Sequence, residues 1–207
     1  MSILSRLRNI FNPQPKEQVL GYSPEELKEI FQNSIPAIDS EVQKKYPEII
    51  SLEYAEIHAF FVTKLIDKID VPVFLKQLDC HFSWELNRKF NGKEVLQLKS
   101  KASNEKLCYL FSEEFEGIVV RIVTDSFSFL ELLVKCGFDV PPPWVAFVEF
   151  DPQGWCHLSQ GAPEYYNNTF FHVFFINLNV KERKKYYAKY RASKEWINVL
   201  ELWYSED

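Results

Sequence analysis

Residues 47–70 read PEIISLEYAEIHAFFVTKLIDKID. Within them Ile50, Tyr54, Ile57, Phe61 and Leu65 recur at spacings of 4, 3, 4 and 4, the period of one helix face, while Glu53, Glu56, Lys64 and Lys68 fall elsewhere. Ile49, Leu52, Phe60, Val62, Ile66 and Ile69 make the segment nearly apolar all round. That pattern predicts a central, largely buried helix, with His58 as a core histidine. Downstream, Pro72 opens a further helix predicted through Phe90 and closed by the turn dipeptide Asn91-Gly92. The run GIVVRIVTD, Gly117 to Asp125, is β-branched and fits either a strand or the front of a long helix ending near Cys136, with Gly137 as its C-terminal glycine.

Upstream, Asn12-Pro13-Gln14-Pro15 separates a short amphipathic segment (residues 1–16) from a single globular domain (residues 17–207). Ser23 is a good N-cap, with Pro24 at the first helical position, Glu26 completing a capping box and Tyr22 placed to staple onto Leu27. Toward the C-terminus, Pro141-Pro142-Pro143 forces an extended spacer into Trp144 to Phe150, a candidate short strand, and DPQGW (151–155) reads as a turn. Three more helices follow: Pro163 to Leu178, one capped by Asn179 with Glu182, and Lys194 to Tyr204 capped by Ser193. The expected fold is therefore mainly α, one compact helical domain, with an α+β variant carrying one or two short strands.

The chain has 207 residues, 46% hydrophobic and 26% charged, enough for one core without a metal or disulfide staple. Six glycines, and no GxxxxGK[ST] or GxGxxG run, argue against common nucleotide-binding folds. A net charge of −5 opposes general affinity for nucleic acid, so none is expected as a partner. Its distribution is uneven. Glu105 to Asp151 holds nine acids and three bases, whereas Lys181 to Lys194 holds seven bases and one acid. In the latter, Lys181, Lys185 and Lys189 form an i, i+4, i+8 row. Cys80, Cys108, Cys136 and Cys156 show no paired spacing and follow no secretory signal, which fits free thiols in a reducing cytoplasm. No transmembrane segment is expected.

No GxSxG, HExxH, EF-hand or zinc-finger spacing is present, so neither catalytic residues nor metal or cofactor are assigned. Cys80-His81 and Cys156-His157 offer four possible zinc ligands, but adjacent residues point in different directions. The candidate partner-binding residues are the crowded acids Glu113, Glu114 and Glu116 and the amphipathic aromatics and acid around a loop, Trp155, Glu164, Tyr165 and Tyr166. Tyr and Trp near loops dominate protein interfaces. Two other readings stay open: a cytoplasmic enzyme with a motif-free, hydrolase-like active site, and a nucleic-acid-associated adaptor using the basic helix 180–191.

From Pro141 to Leu200 the succession PPPW, GW, QG, EYY, an aromatic run, ER with a following YY, and AS with EW resembles the C-terminal portion of helical bacterial immunity proteins of polymorphic toxin and contact-dependent inhibition systems. The resemblance covers less than a third of the chain. It implies a cytoplasmic inhibitor that binds a cognate protein toxin and covers its active site. An acidic patch suits a basic toxin.

Overall fold

The structure, a computed structural model, describes residues 18–36, 46–155 and 160–204. The N-terminal segment 1–16 and the Cys156-His157 pair lie outside the described residues.

The expectation of a mainly α fold is wrong. The chain is α+β, built on one antiparallel six-stranded sheet, with 27% strand and 45% helix among the described residues. Residues 47–70 form no α-helix, only single 3₁₀ turns at Glu53–Ala55 and Lys68–Asp70. They give a short strand β1 (Ile49–Ser51), a turn in which Glu56 takes a left-handed φ of 58°, and strand β2 (Phe60–Asp67). Phe60, Val62, Lys64 and Ile66 face one side of β2 and Phe61, Thr63, Leu65 and Asp67 the other. Both sides are covered, which makes a strand read as apolar all round.

Helix α1 (Pro24–Ile30) precedes this pair, with the Ser23–Glu26 capping box formed as expected. Helix α2 (Val71–His81) stops where the second predicted helix was to continue, and Phe82–Phe90 forms strand β3 instead. Asn91-Gly92, with φ of 49° and 77°, is the two-residue turn into β4 (Lys93–Ser100). Strands β5 (Lys106–Glu114) and β6 (Gly117–Thr124) follow, which resolves residues 117–125 as strand. The order across the sheet is β1-β2-β6-β5-β4-β3. β2 pairs β6 over eight residues, Phe60 opposite Thr124 through Asp67 opposite Gly117.

Three apolar layers enclose the sheet. On one face α2 and helix α3 (Phe127–Lys135) set Phe74, Leu78, Phe129 and Leu133 against Val62, Ile66, Val120 and Ile122. On the other, Tyr22, Leu27 and Phe31 cover Val95, Cys108 and Val123. The third layer joins Leu65 and Val119 to an aromatic helical unit. That unit contains the one-turn helices α4 (Pro143–Ala146) and α5 (Pro152–Trp155), which replace the expected strand and turn. It continues through α6 (Gly161–Tyr166), a π-helical segment (Asn167–Phe171), α7 (His172–Ile176), α8 (Val180–Lys189) and α9 (Lys194–Tyr204). The caps at Asn179 and Ser193 form as expected.

The helical unit docks by finishing the edge of β2. β1 covers that edge only to Val62. Beyond it, the Tyr46 hydroxyl accepts from the Leu65 N–H (2.8 Å) and donates to the Leu65 carbonyl (2.9 Å), and the Asp67 N–H donates to the Asp139 carbonyl (3.0 Å). The next carbonyls, of Val140 and Pro141, accept from the hydroxyls of Tyr186 and Tyr166. Gly117 permits the approach, since a Cβ there would sit 2.7 Å from the Ile66 carbonyl and 3.0 Å from Pro141.

The β5–β6 turn lacks the usual residues. Phe115 and Glu116 hold φ of 58° and 55°, a left-handed conformation that disfavours side chains. Phe115 compensates by inserting its ring among Phe147, Tyr166 and Phe170. Glu116 has no such anchor, only an exposed ion pair to Lys68 at 3.6 Å. Glu116→Gly is therefore expected to stabilise the fold by about 0.5–1 kcal/mol, whereas Phe115→Gly destabilises it. Urea unfolding midpoints of the two variants check the opposite signs.

Candidate functional site

The structure sorts the seven sequence-derived partner residues into four groups. Glu113 and Glu116 are exposed at the β5–β6 hairpin, with Lys68 3.8 and 3.6 Å away. Glu114 points to the opposite sheet face, where its Oε1 takes hydrogen bonds from both terminal nitrogens of Arg121 at 3.2 Å. Glu164 and Tyr165 are half-exposed on α6, and Tyr165 meets Phe115 with ring centroids 6.1 Å apart. The hairpin acids and the α6 pair, some 50 residues apart in sequence, thus share one end of the molecule, joined through Phe115.

Trp155 and Tyr166 are core residues. Trp155 is 2% exposed, packs on Phe147, Phe150, Phe171 and Trp196, and donates from Nε1 to the Tyr204 hydroxyl at 3.1 Å. Tyr166 is fully enclosed and stacked on Phe171. Burial raises its hydroxyl pKa well above the ordinary value.

Histidines do not converge. His58 is exposed instead of buried, because it lies on the turn into β2, and His81 ends α2 in solvent. His172 is half-buried against Tyr204, and burial lowers its pKa. Among the described residues no three His, Cys, Asp or Glu side chains are placed to hold a metal ion. Cys80, Cys108 and Cys136 are free thiols. No helix of the described residues is long and apolar enough to cross a membrane.

In the basic row of α8, Lys181 and Lys185 are exposed, whereas Lys189 is engaged. Lys189 binds Asp139 at 2.8 Å and Asp67 at 3.7 Å, and its neighbour Tyr190 donates to Asp67 at 2.5 Å. This ionic knot ties α8 to the end of β2. Beside it sits Lys64, which the helical spacing set off the repeating apolar face. It is 2% exposed on β2, its ammonium 4.4 Å from the centroid of Tyr46 and 5.8 Å from that of Phe138. Among the described residues nothing hydrogen-bonds or ion-pairs with it. Burial pulls its pKa down to about 7, opposed by Cys136, Asp70 and Asp139.

A cleft of about 320 Å³ opens on the sheet face opposite α2 and α3. Its floor carries Arg121, Ser112 and Glu114, and sequence reasoning missed it because its residues span five separate segments. No protein-family model matches this chain, and neither a curated protein nor a solved structure matches it.

Proposed function

We propose that the protein acts by binding another protein, as an immunity-type inhibitor whose acidic end meets a basic toxin domain and covers its active site. The observation that carries this reading is the contact of Phe115, which lies in the hairpin with the exposed Glu113 and Glu116, with Tyr165, the sequence neighbour of Glu164. It places exposed carboxylates and an amphipathic aromatic on one rigid surface, the mixture that steers and anchors a cationic partner. Lys68 offsets only part of that charge.

The test is co-expression with the product of an adjacent toxin-like reading frame, followed by growth and binding-rate measurements. A Glu113→Lys, Glu116→Lys, Glu164→Lys triple variant is expected to slow association about tenfold or more at low salt and to flatten its salt dependence. Folding should change by less than about 0.5 kcal/mol per exposed site. Tyr165→Ala should act on dissociation instead. Full protection and unchanged rates in the triple variant would remove this end from the interface.

A further inference from the structure

The cleft on the sheet face has the make-up of a binding site in its own right. Strand register places Arg121 on β6 between Thr63 of β2 and Leu110 of β5, so its guanidinium rises from the centre of the sheet. Lys93 Nζ and Arg121 Nη1 both donate to Ser112 Oγ, at 2.5 and 3.0 Å. Ser112 is 3% exposed, and among the described residues no acceptor takes its hydroxyl proton. Two cations therefore converge on one buried hydroxyl, and the only carboxylate among the cleft's lining residues is Glu114, already engaged by Arg121. The local balance is one positive charge in a chain whose net charge is −5.

Phe61, Phe90, Leu110, Val19 and Leu20 supply the apolar part of the lining, with Gln18 and Asn91 as its uncharged polar members. The Val19-Leu20 wall is prebuilt. Val19 to Tyr22 is a tight turn with reciprocal backbone hydrogen bonds of 2.9 and 3.0 Å, and Leu20 is held at φ 53°, a strained setting for leucine. Arg88 locks it by donating to the Gly21 carbonyl at 2.5 Å, stacking over Tyr22 at 3.9 Å and pairing with Glu26 at 2.8 Å. A Cβ on Gly21 would come within 2.8 Å of Phe90, so wall and cleft side are fitted together.

We propose that this cleft binds a small monoanionic amphiphile, a carboxylate on an apolar body. Lys93, the Ser112 hydroxyl and Arg121 take the carboxylate, and Phe61 and Phe90 take the body. A second anionic charge would face Glu114 without a cation to meet it. The volume, near the lower end for ligand pockets, suits a small molecule or a single terminal residue.

The test is calorimetric titration of the full chain with 4-phenylbutyrate, its primary amide, and N-acetyl-phenylalanine. The acids are expected to bind at least about tenfold more tightly than the amide, the ratio of a charge-assisted hydrogen bond. Lys93→Met, at an exposed position that leaves folding intact, should erase that preference, and Phe90→Ala should weaken all three. Tighter binding of 4-phenylbutyrate assigns a free acid, and tighter binding of N-acetyl-phenylalanine a chain terminus. Either upholds the site. Equal binding of acid and amide to the wild type, or no binding of any probe at millimolar concentration, overturns it.

Discussion

Lys64→Met is expected to stabilise the protein by about 3 kcal/mol at pH 6. The ammonium is enclosed between Tyr46 and Phe138 without an ion-pair partner among the described residues, and its pKa falls from the usual 10.5 to about 7. At about 1.36 kcal/mol per pKa unit, holding the charge inside costs on the order of 5 kcal/mol. Attraction to the Tyr46 ring, worth up to about 2 kcal/mol when desolvated, is lost with the ammonium and offsets part of the gain. The sign with pH follows from linkage. Below pH 7 the lysine is charged both folded and unfolded, so the full cost applies. Between pH 7 and 10.5 the folded protein sheds its proton first, and stability from this group rises until the cost is gone. Cys108 and Cys136 act the other way, because burial raises their thiol pKa and only the unfolded chain ionises them at mildly alkaline pH. The informative measurement is therefore the difference in urea unfolding free energy between wild type and Lys64→Met across pH 6–10. A difference that stays flat would show that the lysine is not held as a buried cation.

Trp155→Ala is expected to cost about 3–5 kcal/mol, a large share of the 5–15 kcal/mol that holds a domain together. Its indole lies at the centre of the helical unit, against Phe147, Tyr166, Phe171 and Trp196, with few neighbours able to move into the space. Urea unfolding followed by far-ultraviolet circular dichroism measures the loss, and a cost below about 1 kcal/mol would contradict the enclosure. Lost toxin protection in this variant would report a damaged fold and not a missing contact, which leaves Tyr165→Ala as the aromatic test of the interface.

Local signals were readable in the sequence and long-range ones were not. The caps at Ser23, Asn179 and Ser193 each depend on residues within one turn of helix, and all three formed. In residues 47–70 the helical spacing from Ile50 to Leu65 was drawn across a turn at Glu56. The shorter run FFVTKLID carried the true signal, aromatic and β-branched residues filling both faces of an inner strand. Asn91-Gly92 between Phe90 and Lys93 was equally informative as a hairpin turn once strands flank it. The Phe115-Glu116 turn carries no glycine or asparagine, so only the tertiary seat of the Phe115 ring explains it. The exposed acids Glu113 and Glu116 were recognisable as surface charges. Whether an amphipathic aromatic faces a partner or a core depends on what packs over it, which is why Trp155 and Tyr165 read alike and ended in different places. The cleft joins Gln18 to Arg121, and no local pattern links residues that far apart.

The tyrosine clamp on Val140 and Pro141 has a consequence for synthesis on the ribosome. All six strands lie before residue 125, whereas Tyr166, Tyr186 and Tyr190 come 40 to 65 residues later. At about 5–20 residues per second, the nascent sheet waits several seconds with Leu65, Phe115 and Val119 uncovered. During that interval its exposed apolar layer is what a chaperone would recognise. Synonymous codons that slow translation between residues 125 and 190 lengthen the exposure without altering a single atom of the finished protein.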